Sequence, residues 1–189
     1  DGSCTYQMTY VPDDNFEQAL INLGYDNVLD DSVLTSNINT VTSLNVSGTQ
    51  TSNAGITDLT GINDFIALTT LFCYDNNLTS LDVSNNLLLT DLRCYRNNIT
   101  SLDVTHNTAL IELHPAHNSI TSLDLSQNTA LTTLSCGHNL LTSLDLSQNT
   151  ALNELWCEHN QIGILDLSSN TTLTILGCSN NQLTSLDVR

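Results

Sequence analysis

Leu78–Asn98 reads LTSLDVSNNLLLTDLRCYRNN, and the segment after it, Ile99–Ser119, reads ITSLDVTHNTALIELHPAHNS. ITSLDLSQNTALTTLSCGHNL (Ile120–Leu140), LTSLDLSQNTALNELWCEHNQ (Leu141–Gln161) and IGILDLSSNTTLTILGCSNNQ (Ile162–Gln182) follow, and Leu183–Arg189 is half of one more unit. The period is 21 residues, without insertion, from Leu68 onward. Each unit has two nested halves. The first has the pattern of Leu68, Leu71, Cys73, Asn76 and Leu78. The second has that of Leu78, Leu81, Val83 and Asn86. Each half carries an apolar–x–apolar stretch, the period-2 mark of a short strand with one buried face, and then ends in Asn. A repeat this short cannot bury its apolar face alone, so successive units must stack. The pattern predicts a β-rich solenoid: a flattened coil with short parallel strands in two stacked sheets, one per half, and rungs about 4.8 Å apart.

The two Asn columns fall at the corners of this coil. A corner buries backbone groups that no strand satisfies, and Asn offers two donors and an acceptor there. Cys73, Cys94, Cys136, Cys157 and Cys178 share one lattice position, with Pro115 in the remaining slot. There is no Cys-x-x-Cys pair, which argues against a zinc knuckle. These cysteines read as small, reduced core residues. Cys4 lies off the lattice.

The first half resembles the leucine-rich-repeat consensus, in the variant with Cys at the third apolar position. The nested 21-residue form looks like the short-repeat subclass of bacterial surface and secreted proteins, notably of the Bacteroidetes. GITDLTGINDFIALTTL, Gly55–Leu71, is similar to the internalin-like repeat phrase. The resemblance spans residues 41–189. It implies a non-catalytic binding scaffold at the bacterial cell surface or outside the cell, needing no cofactor. Its partner would be a protein or a glycan. The alternative is a structural spacer, a stiff shaft carrying further domains of a larger surface protein.

Residues 1–40 do not repeat and read as an N-terminal cap. Asp13 or Asp14 can cap an amphipathic helix over about residues 14–23, with Phe16, Ala19, Leu20 and Leu23 on one face and Gly24 ending it. At the other end no C-terminal cap is expected within the chain, and an open rung would be covered by further chain or a partner.

Charge narrows the partners. The net charge is −17, Lys is absent, and Arg93, Arg96 and Arg189 are the only strong bases. Phosphate backbones and anionic lipid need clustered positive charge, so no nucleic acid and no membrane insertion is expected. Charged residues make up only 12% of the chain, about half the usual share.

The outward positions of the two halves differ. The second half repeats Asp82, Asp103, Asp124, Asp145 and Asp166, a column that offers Ca²⁺ a series of oxygen ligands. The first half varies and gathers Phe72, Tyr74, Arg93, Tyr95, Arg96, His114, His117, His138, Trp156 and His159. Aromatic residues and Arg are enriched at binding hot spots, so this is the expected ligand face. Arg93 and Arg96 form the expected positive patch, which would steer an acidic partner. Ser, His and Asp recur in columns with no unique pocket, and no nucleophile or metal-protease motif occurs, so no catalytic residue is assigned.

Overall fold

The computed structural model describes residues 6–49 and 54–187. Cys4, Arg189 and the Gln50–Asn53 part of the first long loop lie outside them. At the N-terminal end β1 (Met8–Tyr10) and α1 (Asp14–Asn22) precede β2 (Ser32–Leu34), which pairs antiparallel with β1, and a single turn α2 (Thr35–Ile38). Asp13 begins α1 with extended backbone, and its Oδ1 accepts the N–H groups of Asn15 and Phe16 at 3.0 Å. Gly24 ends it at φ 81°, a left-handed turn that costs glycine nothing. Phe16 and Leu20 face inward, fully buried against the first rung.

Two acids fasten this end. The other oxygen of Asp13 accepts Thr57 N–H, the Thr57 hydroxyl and Asp58 N–H at 2.7–3.1 Å. Burial pushes the Asp13 carboxyl up, but the hydrogen bonds from Thr57, Phe16 and Asp58 outweigh it and hold the group below its ordinary value. Glu17 is fully buried and accepts three backbone N–H groups, from Asp30, Asp31 and Ser32, at 3.0–3.1 Å.

The repeats then build one continuous parallel sheet. Its strands are β3 (Ser43–Asn45), β4 (Thr70–Phe72), β5 (Asp91–Arg93), β6 (Glu112–His114), β7 (Thr133–Ser135) and β8 (Glu154–Trp156). After a back strand β9 (Ile164–Asp166), β10 (Ile175–Gly177) completes the sheet, and β11 (Ser185–Asp187) pairs with β9. Thr70 stands opposite Asp91 and Asp91 opposite Glu112, so the lattice of the sequence is the register of the sheet. Leu71, Leu92, Leu113, Leu134 and Leu155 point inward with no exposed surface. Cys73, Cys94, Cys136 and Cys157 stack beside them as free thiols, while Cys178 in the last full rung is only partly buried.

The second sheet is shorter than the pattern predicts. Among the described residues the back halves form a ladder only between β9 and β11. Two turns per rung, Asn86 N–H to Val83 C=O and Leu89 N–H to Asn86 C=O, leave little extended backbone there. Rungs are joined instead through the asparagine column. Asn107 Nδ2 donates to Val83 and Asn86 carbonyls, and Asn128 and Asn149 repeat this. The front column does more. Asn97 Nδ2 reaches the Cys73 and Cys94 carbonyls while its Oδ1 accepts Leu78 N–H from the preceding rung.

Candidate binding face

Strand alternation sends three residues of each first half outward, such as Thr70, Phe72 and Tyr74, while Leu71 and Cys73 turn in. Neighbouring rungs therefore align like residues, and the rings stack. Tyr74 and Tyr95 lie 4.5 Å apart and parallel within 4°. Phe72 sits 6.4 Å from Tyr74, and the Arg93 guanidinium covers the Phe72 ring at 4.7 Å. Burial raises the Tyr95 phenol above its usual value, helped by Tyr74 beside it.

The positive patch expected here does not form. Arg93 grips Asp91 through Nε and Nη2 at 3.0 Å each and reaches Glu112 at 2.9 Å. Those hydrogen bonds, led by Asp91, hold its proton more firmly than usual. Arg96 lies 3.6 Å from Asp75. The sequence placed the two arginines on the face. Asp91 lies two residues back on Arg93's own strand β5, whereas Glu112 comes from the next rung and Asp75 from the preceding one, which only stacking reveals. His114 stands 3.4 Å from Glu112. Asp91, Glu112 and His114 bring ligand atoms within 4.8 Å of one another, a grouping of the kind that holds a metal. The Arg93 guanidinium already spans both carboxylates and supplies the cationic charge there.

His117, His138 and His159 do stack, at 4.0 and 4.2 Å, but they belong to the corner and not to the sheet. Each has φ of 54–55°, as do Asp75, Arg96 and Asn180 in the same column at 52–54°. Left-handed backbone is penalised for most side chains and least for Asn, Asp and His. The column's composition therefore has a conformational cause. The sequence placed these histidines on the ligand face; the adjacent corner Asn of each rung was the signal for the turn. Burial, the neighbouring His138 and Arg96 lower the affinity of His117 for a proton.

Toward the other end, Trp156 is the only Trp of the chain and keeps 40% of its surface exposed. Its six-membered ring rests on Gly177, where a β-carbon would come within 2.5 Å of Cε3. Glu158, one position along, folds over Gly137, where a β-carbon would lie 2.9 Å from its carboxyl carbon. These two glycines make the floor on which the larger side chains lie. The sequence singles out Trp156 but gives the glycines and Glu158 no role, because each is informative only beside its neighbour in the adjacent rung.

On the back, each Asp of the column has a local task. Asp82, Asp103, Asp124, Asp145 and Asp166 accept the N–H two residues on, at 2.9–3.0 Å. In Asp82, Asp124 and Asp145 that backbone bond leads in holding the carboxyl below its ordinary value. In Asp103 and Asp166 the neighbouring hydroxyl leads. One oxygen of each carboxylate is thus committed to a turn.

No family model and no curated protein matches the sequence. Solved structures match along its length. The functional domain of InlJ from Listeria monocytogenes, which includes a cysteine ladder, is 35% identical over 97% of this chain with a TM-score of 0.62. This chain spans 50% of that one, about half its length. Internalin C2 from Listeria monocytogenes is 22% identical over 97% of this chain and 92% of its own, with a TM-score of 0.66. The fold is that of a leucine-rich repeat. The same repeat architecture, at 22% identity and a TM-score of 0.66, covers 81% of this chain and 19% of the ectodomain of the plant membrane receptor kinase GASSHO1/SCHENGEN3 from Arabidopsis thaliana, solved in complex with CASPARIAN STRIP INTEGRITY FACTOR 2. Among the described residues of this leucine-rich-repeat chain, no helix is long and apolar enough to cross a membrane.

Proposed function

We propose that this chain is a non-catalytic leucine-rich-repeat binding module of a secreted or cell-surface bacterial protein, and that its front sheet engages a protein or a glycan. One observation carries the reading. Phe72, Tyr74, Tyr95 and Trp156 are gathered on one sheet face, whereas the back repeats the same Asp turn. The half-buried rings of Phe72, Tyr74 and Tyr95 stack in register and Trp156 is exposed further along the sheet, so the face offers a partner flat apolar area at small entropic cost. Cys73, Cys94, Cys136 and Cys157 are buried and their thiols are pushed up, which disfavours a reactive thiolate. The bacterial and surface setting is supported by the two Listeria proteins of like fold. A protein partner is supported by the receptor ectodomain that holds one on this architecture.

The test is a glycan array and a capture screen against extracellular proteins, repeated with two double variants. Trp156→Ala with Tyr95→Ala should abolish whatever the native chain binds. Asp124→Asn with Asp145→Asn on the back should leave it unchanged. A spacer would be indifferent to both, and loss through the Asp changes alone would put the site on the wrong face. Arg93→Ala is a poor probe, because it frees Asp91 and Glu112 from their counter-ion.

A further inference from the structure

Charge on the front sheet is unevenly settled. Arg93 is held between Asp91 and Glu112, and Arg96 stands against Asp75. Lys is absent from the chain, so among the described residues no Arg or Lys is left for Glu154 and Glu158. Those two carboxylates flank Trp156 on its own strand and beyond it. Glu158 Oε2 is buried with no hydrogen-bond partner among the described residues. A carboxylate oxygen taken out of water and left without a donor is costly, and a cation held against the same carboxylate would offset that cost through its charge. Beside it stands the half-open indole face. Ser135, Gly137, Gly177 and Ser179 occupy the outward positions around the pair and leave the floor low.

From this geometry we propose that the Trp156–Glu158 shelf binds the cationic side chain of a partner protein, an Arg or Lys on an extended basic segment. This rests on the front sheet being the binding face and specifies the partner's chemistry. The indole attracts a cation over its face, and the carboxylate accepts its N–H groups. The same shelf is unsuited to an acidic partner, since the two free carboxylates would repel it in a chain of net charge −17. A neutral glycan could stack on Trp156, but it would leave Glu154 and Glu158 without a counter-charge. Basic chains would also be steered to this face from a distance, with an association rate that falls as salt screens it.

Trp156 is its own reporter. The whole chain is titrated with an Arg-Gly repeat peptide, a Glu-Gly repeat peptide of equal length and a neutral β-linked oligosaccharide, while its fluorescence is followed. The Arg-Gly peptide should shift the emission, with an affinity that drops as NaCl rises from 50 to about 300 mM. The other two should not. Glu158→Gln, which keeps shape and removes charge, should weaken that binding about tenfold or more while the melting temperature stays level or rises, since an unpaired buried charge is removed. Gly177→Ala, which displaces the indole, should weaken it too, and its fold is checked by circular dichroism. An emission shift with the oligosaccharide that Glu158→Gln leaves intact would overturn the cationic assignment and keep the front face as the binding surface. No response to the Arg-Gly peptide at millimolar concentration would also overturn it. If, in addition, partners found by screening survive Trp156→Ala with Tyr95→Ala, the face itself is wrong.

Discussion

The two asparagine columns look alike in sequence, yet the structure gives them unequal tasks. Replacing one member of each by alanine measures the difference. Asn139, in the front column, donates through Nδ2 to the Pro115 and Cys136 carbonyls at 3.0 and 3.1 Å, and its Oδ1 accepts Ile120 N–H at 3.0 Å. Asn128, in the back column, donates to the Val104 and Asn107 carbonyls at 3.0 and 2.9 Å, and its Oδ1 is buried without a partner. The carbonyls do not decide the outcome, because each has a second donor. Asn118 still serves Pro115, Asn160 serves Cys136, and backbone N–H groups of Asn107 and Leu110 serve Val104 and Asn107. What differs is Ile120 N–H. In Asn139→Ala it is left as a buried donor with nothing to bind, at a cost of about 1–3 kcal/mol, whereas Asn128→Ala orphans no such donor. Both variants also lose about 1 kcal/mol per amide bond, and a small cavity adds to each. Urea unfolding followed by circular dichroism should therefore place Asn139→Ala below Asn128→Ala by that margin, and the melting temperatures should differ by roughly 2–10 °C for a chain of this size. If Asn128→Ala proves as costly or costlier, an orphaned N–H is not what the front column prevents.

Acidification tests the histidine corner. Because burial lowers His117 below its ordinary value of 6.5, the unfolded chain takes up that proton first. The stability due to a neutral His117 is complete above pH 6.5 and is lost as pH falls below it. The aspartates, held below 3.8, contribute losses only at still lower pH. Unfolding free energy should thus decline as pH falls below 6.5, and His117→Asn, which keeps a residue suited to the left-handed corner, should flatten that decline; an unaltered slope would contradict it. The thiol ladder gives another check. Burial pushes the Cys94 and Cys157 thiols up to about 12 and also raises Cys73 and Cys136, so these four should resist labelling in the native state while Cys178 reacts first. Fast labelling of all four, read by mass spectrometry of digested peptides, would refute the inward register.

The period, the inward columns and the corner asparagines were legible in the sequence because a solenoid writes its geometry locally. Leu71, Cys73 and Asn76 recur where they do because every rung meets the same neighbours, so 21 residues of pattern fix the coil. The histidine column instead read as part of the ligand face, and only φ shows that it is the left-handed position that His, Asp and Asn share. Pairings between rungs were a different matter. Arg93 with Glu112, Trp156 over Gly177 and Glu158 over Gly137 join residues about one repeat apart, through side-chain lengths and tilts that no column of letters records. Stacking turned two arginines that read as a free positive patch into neutralised ion pairs, and left Glu154 and Glu158 on the same sheet without an Arg partner. Composition counted the charges, but each charge's partner depends on a few ångströms of lateral packing, and that only the tertiary structure decided.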